Sequence, residues 1–205
     1  MLNELSVKDF VLQTASDAPV PGGGSISALC GTLSSALAKM VAGLTVGKKN
    51  YEAVSDRMQQ VVDEMPRYIE VLSDLIEKDS ESFDFVMKAF RLPKDTDEAK
   101  AIRRKAIDDA TVYAAQIPLK TAQTVAELFP TLEFVAEFGN KNAMSDIAVA
   151  TMLARTAIFG ALYNVRINLG SLPDGEFKEV TSKEVEKLHA LAENREREIL
   201  AKVRI

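Results

Sequence analysis

Apolar positions along this chain recur at steps of three and four, the period of an α-helix, and no segment sustains the alternation of a strand. Val7 to Ala15 reads as a short amphipathic helix capped by Ser6, with Phe10, Val11 and Thr14 on one side. Pro21 to Val46 is a glycine turn, Gly22, Gly23 and Gly24, followed by about six helical turns for which Ser25 is the expected cap. That helix is built largely from small residues, among them Ala28, Gly31, Ser34, Ser35, Ala38 and Ala42, so neighbours can pack close and it is the expected central post of the fold. Tyr51 to Arg91 reads as one long helix bent at Pro66. A second long helix, about Thr96 to Phe129, has an Asp95/Glu98 capping box, a kink at Pro118 and Ile102, Ala106, Ala110, Tyr113 and Ile117 on its buried face. Pro130 and Gly139 bracket a short helix, and Asn142 or Ser145 caps another that runs to about Leu169. Thr181 with Glu184 opens the last one. The expected fold is a single all-α domain spanning 1–205, an up-and-down bundle of long helices.

One position breaks this pattern. The stripe Ile69, Leu72, Ile76, Asp79, Phe83, Val86, Phe90 keeps helical steps throughout, and Asp79 stands where a hydrophobe belongs. A carboxylate on a core-facing stripe must be hydrogen-bonded, paired, raised in pKa or open to a cleft, because burying it alone costs several kcal/mol or more. The structural alternatives are a polar seam at an oligomer contact and an aspartate at the edge of the stripe that reaches solvent.

The stripe Asp146, Ala150, Leu153, Ala157, Ala161, Asn164, Asn168 is small in the middle and polar at both ends. Eighteen residues separate Asp146 from Asn164, so at 1.5 Å each the two ends stand about 27 Å apart. One end is structural, or the ligand is long, or two chains meet so that the Asp146 of one approaches the asparagines of the other.

A net charge of −5 argues against nucleic acid as a partner. The run Arg103, Arg104, Lys105 reads as a solvated face. A lone cysteine, Cys30, within the small-residue helix reads as a buried small hydrophobe, and a lone histidine, His189, on a charged helix leaves no zinc site or Ser-His-Asp triad within one chain. Gly43 to Lys48 is one residue short of a phosphate-binding P-loop and is followed by Lys49 where Ser or Thr is required. The N-terminus lacks the apolar core of a signal peptide, and Lys39 with the many Ser, Thr, Gly and Ala residues argues against a membrane span, so a cytoplasmic protein is expected.

Six segments in series, PGGGSISAL, MVAGLTVGKKNYEAV, DSESF, RLPKDTDEAK, GNKNAMSDIAVA and NVRINL, resemble the formiminotransferase-cyclodeaminase C-terminal family over essentially the whole chain. The resemblance implies a stand-alone, helical, homodimeric domain acting on tetrahydrofolate, without metal or redox cofactor. The activity implied is release of ammonia from 5-formiminotetrahydrofolate with closure of the 5,10-methenyl ring, or, as in close relatives, methenyltetrahydrofolate cyclohydrolysis. It makes the aspartate of the D-x-E-x-F segment, Asp79, the catalytic candidate, a general acid that as carboxylate then stabilises the methenyl cation. For the substrate, Asp146 or the amides of Asn164 and Asn168 would read the pterin, and Lys48, Lys49 or the backbone amides of Gly22 to Gly24 would hold the glutamate tail; the opposite assignment is equally open. A non-enzymatic helical interaction module, with Asp79 as a seam between subunits, is the competing class.

Overall fold

The computed structural model describes residues 1–204. Seven α-helices carry the chain: α1 Val7–Thr14, α2 Gly23–Gly43, α3 Ser55–Phe90, α4 Asp97–Ala126, α5 Phe129–Phe138, α6 Met144–Ser171 and α7 Glu176–Leu200, with no strand among the described residues. Helices α2, α3, α4 and α6 close a four-membered ring in which each packs on the next, α7 lies against α6, and α5 braces one end. Contacts along the helices give their directions. Ser25 meets Ser80, Phe85 meets Tyr113, Asn168 meets Ala114, and Ser34 donates to the Ala150 carbonyl at 2.8 Å, so successive members of the ring run antiparallel. The result is an up-down-up-down bundle.

The expected central post is therefore one of four staves. Small residues still explain its packing: Ala28, Ser34, Ser35 and Ala38 are wholly buried on one side of α2, opposite Ala150, Ala154, Ala157 and Ala161 of α6, also wholly buried. The other side of α2 stays open, with Leu33, Met40 and Leu44 exposed. By length and composition α2 and Lys141–Ser171 are apolar enough to cross a membrane, and here both pack within the bundle.

Several helix ends differ from expectation for local reasons. Gly22, not Ser25, is the N-cap of α2, because Ser25 turns its hydroxyl inward to α3. The long third helix begins at Ser55 after a single 3-10 turn, Glu52–Val54. Thr96 caps α4 by accepting from the Ala99 amide at 3.1 Å, displacing the Asp95/Glu98 box, and Ile102 is 60% exposed because the first turns of α4 run past the end of the core. Neither Asn142 nor Ser145 caps α6; Asn140 caps the 3-10 turn before it, and also donates to the Leu44 carbonyl at 2.8 Å, tying this turn to the end of α2. Helix α7 starts at Glu176, well before Thr181, which is buried within it.

Both α3 and α4 continue through their prolines. Pro118 cannot donate to the carbonyl four residues back, Ala114, and the Asn168 side chain supplies the missing donor at 2.9 Å. The arrangement also fixes where the Asn168 carboxamide sits.

Candidate functional site

The first amide of α2 bonded within the helix is that of Ile26, to the Gly22 carbonyl at 3.0 Å. The amides of Gly23, Gly24 and Ser25 thus have no intrahelical acceptor, and the positive end of the helix dipole lies among them. Asp79 of α3 fills this place: its carboxyl sits against Gly24, close to the Ser25 amide, and takes a hydrogen bond from the Ser25 hydroxyl. The group that meets the glycine turn is one of the protein's own carboxyls. A Cβ at Gly24 would fall 2.5 Å from Asp79 Cγ and 2.7 Å from Oδ2, so only glycine lets the carboxyl approach this closely.

Burial pushes the Asp79 carboxyl above the ordinary carboxylate range, against the pull of the Ser25 hydroxyl and amide. The Ser25 hydroxyl lies 3.0 Å from two acceptors, the Ile76 carbonyl oxygen and Asp79 Oδ2, and 3.2 Å from Ser80 Oγ. It has one hydrogen. Turned to Asp79 it supports the carboxylate; turned to Ile76 it can accept from the carboxylic acid. This pocket therefore accommodates both protonation states without moving a heavy atom.

Asp79 opens onto a cavity of about 320 Å³ whose polar walls are Gly22 to Gly24, Ser82, Asn164 and Asn168. Phe83, Val86 and Ile167 supply apolar walls. Asn164 flanks the other side of the glycine turn, its Nδ2 3.1 Å from where a Gly23 Cβ would stand, and donates to the Gly160 carbonyl at 2.8 Å. With Nδ2 of Asn164 and of Asn168 each committed to a carbonyl, both Oδ1 atoms are left without a donor among the described residues. Two acceptors one helical turn apart thus flank a carboxyl that can carry a proton.

Asp79, Gly22, Gly23, Gly24, Ser25, Asn164 and Asn168 come together as one site. Lys48, Lys49 and Asp146 do not join it within the chain. The lysines are exposed beyond the far end of α2, about 30 Å of helix from Gly24, and Asp146 lies in the first turn of α6 at that same end. Ser82 and Ser80 escaped the sequence reading, although Ser82 lies one turn from Asp79 within DSESF; its hydroxyl donates to the Asp79 carbonyl at 2.7 Å. A larger cavity, about 620 Å³, lies at the far end among Tyr51, Phe138, Lys141 and Lys202, but Lys202 is paired with Glu133 and Glu137. Cys30 is half-buried with its thiol pKa raised by burial, the state of an unreactive thiol. His189 is stacked on Phe159 at 4.2 Å.

A buried carboxyl of raised pKa, seated on a helix N-terminus and facing amide acceptors across a cavity, gives this all-helical protein a candidate site for proton transfer. The sequence pattern of the formiminotransferase-cyclodeaminase family matches residues 6–187, and the chain belongs to that family. It is 39% identical over 192 residues to a methenyltetrahydrofolate cyclohydrolase of Methylorubrum extorquens, covering 94% of this chain and 92% of that one. It is 34% identical to the formimidoyltransferase-cyclodeaminase of Mus musculus, covering 91% of this chain but only 35% of the mouse protein. Among solved structures, a formiminotetrahydrofolate cyclodeaminase from Thermotoga maritima superposes with a TM-score of 0.88 at 32% identity, over 99% of this chain and 98% of that one. These relatives are enzymes of folate chemistry.

Proposed function

We propose that the chain is a formiminotetrahydrofolate cyclodeaminase, closing 5-formiminotetrahydrofolate to 5,10-methenyltetrahydrofolate with release of ammonia. The observation that carries the reading is Asp79, held on the α2 amides beside a hydroxyl that serves both of its protonation states. Closure requires one proton taken and one given. Starting from the protonated formimino group, N10 attacks its carbon, the C=N π pair moves onto the formimino nitrogen, and ionised Asp79 takes the N10 proton. The same proton then passes from Asp79 to the amino group of the tetrahedral intermediate. The C–N bond breaks with its electrons on nitrogen, ammonia leaves, and the N5 lone pair completes the methenyl cation, now facing an aspartate that is again an anion. Oδ1 of Asn164, beside the glycine turn, accepts from the donor edge of the pterin.

A second reading has its own support in the 39% identity to a cyclohydrolase over nearly the whole of that protein. In it, water attacks the methenyl carbon, Asp79 takes one of its protons and returns it to the ring nitrogen as that C–N bond breaks, and the second proton passes to solvent as the formyl C=O forms. Following methenyltetrahydrofolate absorbance separates the two. Formation from 5-formiminotetrahydrofolate with stoichiometric ammonia supports the cyclodeaminase; no formation, but accelerated loss of added methenyltetrahydrofolate, supports the cyclohydrolase. Neither activity would remove both and leave the interaction module.

The same reading takes the protein as cytoplasmic, free of metal and redox cofactor, and homodimeric. Leu33, Met40 and Leu44 form an exposed apolar stripe along α2, which a second copy would cover. In such a dimer Asp146 of one chain can approach the asparagines of the other.

A further inference from the structure

The cavity at Asp79 shares two of its lining residues with a neighbouring one. Val86 and Asn168 also line a second cavity, of about 280 Å³, whose outer walls include Phe90, Ile107 and the two arginines Arg103 and Arg104. It lies where the α3–α4 hairpin overhangs the start of α2. Arg103 is held in place from both sides: its Nε and Nη2 donate to the Phe90 carbonyl at 3.2 and 3.1 Å, and its guanidinium lies 5.5 Å from the centre of the Phe90 ring. Phe90 is the last residue of α3, so its carbonyl has no intrahelical donor, and Arg103 takes that place. Two of five guanidinium N–H groups are spent, three remain, and no carboxylate pairs with Arg103 among the described residues. Arg104 beside it donates to Asp108 at 3.0 Å, and Lys105 is turned to solvent with Asp109. The basic run thus divides into two residues that line the cavity and one that does not.

We infer that Arg103, with Arg104 beside it, is the subsite for the carboxylates of the substrate's glutamyl tail. The inference rests on the folate reading above. Along α3, Asp79 and Phe90 are 11 residues apart, about 16 Å. From N10 of a folate to the γ-carboxyl of its first glutamate is about 12 Å of extended covalent structure, and a contact of about 3 Å at each end closes the span. A planar guanidinium with two parallel donors free matches a carboxylate better than an ammonium does. Within one chain, Lys48 and Lys49, which the sequence offers for the tail, lie at the far end of α2, about 30 Å of helix from Gly24.

The test compares wild type, Arg103→Gln, the Arg103→Gln/Arg104→Gln pair and Lys105→Gln, on 5-formiminotetrahydrofolate and on its tail diamide. Binding of 4-aminobenzoyl-diglutamate to each is measured by calorimetry. Arg103→Gln is expected to raise KM for the acid-tailed substrate about tenfold with kcat within about twofold, and to leave the diamide unchanged. Lys105→Gln removes the same charge and is expected to change neither. An equal rise of KM on both substrates, or an effect of Lys105→Gln as large as that of Arg103→Gln, overturns the subsite. The two failures are distinguishable. Turnover without Arg103 dependence sinks the subsite and leaves the enzyme. No turnover of either folate, with Arg103-dependent binding of the fragment, sinks the reaction and leaves the subsite, and absence of both turnover and fragment binding removes both.

Discussion

Replacing Gly24 by alanine tests whether the site depends on the contact between α2 and Asp79. The added Cβ would lie 2.5 Å from Asp79 Cγ and 2.7 Å from Oδ2, against an ordinary contact of about 3.5 Å, so the carboxyl must retreat by about 1 Å or more. Asp79 then loses its bond to the Ser25 hydroxyl, 3.0 Å long in the parent, and its approach to the Ser25 amide. A displacement of this size at a reacting group costs on the order of 100-fold, about 2.7 kcal/mol of transition-state stabilisation. The assay is kcat for the formation of methenyltetrahydrofolate from 5-formiminotetrahydrofolate, with circular dichroism to show that the helices persist. Gly22→Ala is the internal control: its Cβ meets only the Pro19 carbonyl oxygen, at 3.4 Å, and its kcat is expected to stay close to that of the parent. A folded Gly24→Ala enzyme with parental kcat, or equal losses in the two variants, would show that the seat of Asp79 on α2 does not set the rate.

Asp79→Asn should raise the melting temperature at neutral pH. Burial raises the Asp79 pKa in the folded state, so folding favours its neutral form relative to the unfolded chain, and the stability this group contributes is lost as pH rises from the ordinary carboxylate value through the raised one. The advantage of the variant should therefore vanish in acid; an advantage independent of pH would contradict the assignment. Asn168→Ala should cost about 1–3 kcal/mol by leaving the Ala114 carbonyl unbonded. In a Pro118→Ala background the helix regains its own donor, so chemical denaturation of the double-mutant cycle should show most of that cost gone. Additivity would show that the proline and the asparagine are unrelated. Sedimentation at micromolar concentration is expected to show a dimer, dissociated by Leu33→Glu; monomer alone in the parent would end the homodimer proposal.

The helices were legible because their apolar periodicity is long and regular, and Asp79 was legible because it interrupts that periodicity. The partner of Asp79 was not. Nothing local to Ser25 says that its hydroxyl turns to α3 instead of capping α2, since the choice depends on how closely two helices 51 residues apart in sequence approach. The amides of Gly22 to Gly24 were offered to the glutamate tail, whereas the group that meets them is a carboxyl of the fold itself, Asp79. Arg103 to Lys105 read as one solvated face because a run of charges carries no record of where a neighbouring helix ends; Phe90 and its orphan carbonyl separate Arg103 from Lys105. Pro118 read as a kink, whereas the consequence that bears on the site is a carbonyl offered to Asn168. Asp146 and the lysines shared polarity with the site residues and not their end of the bundle.

In the proposed reaction Asp79 moves the proton that ring closure requires, and the decisive measurement is single-turnover formation of methenyltetrahydrofolate by Asp79→Asn, beside equilibrium binding of the folate. Asparagine is close to isosteric with the neutral acid and keeps a partner for Ser25, so binding should persist while the rate of closure falls by about 100-fold or more. Closure at the parental rate by a folded, folate-binding Asp79→Asn protein would contradict the account.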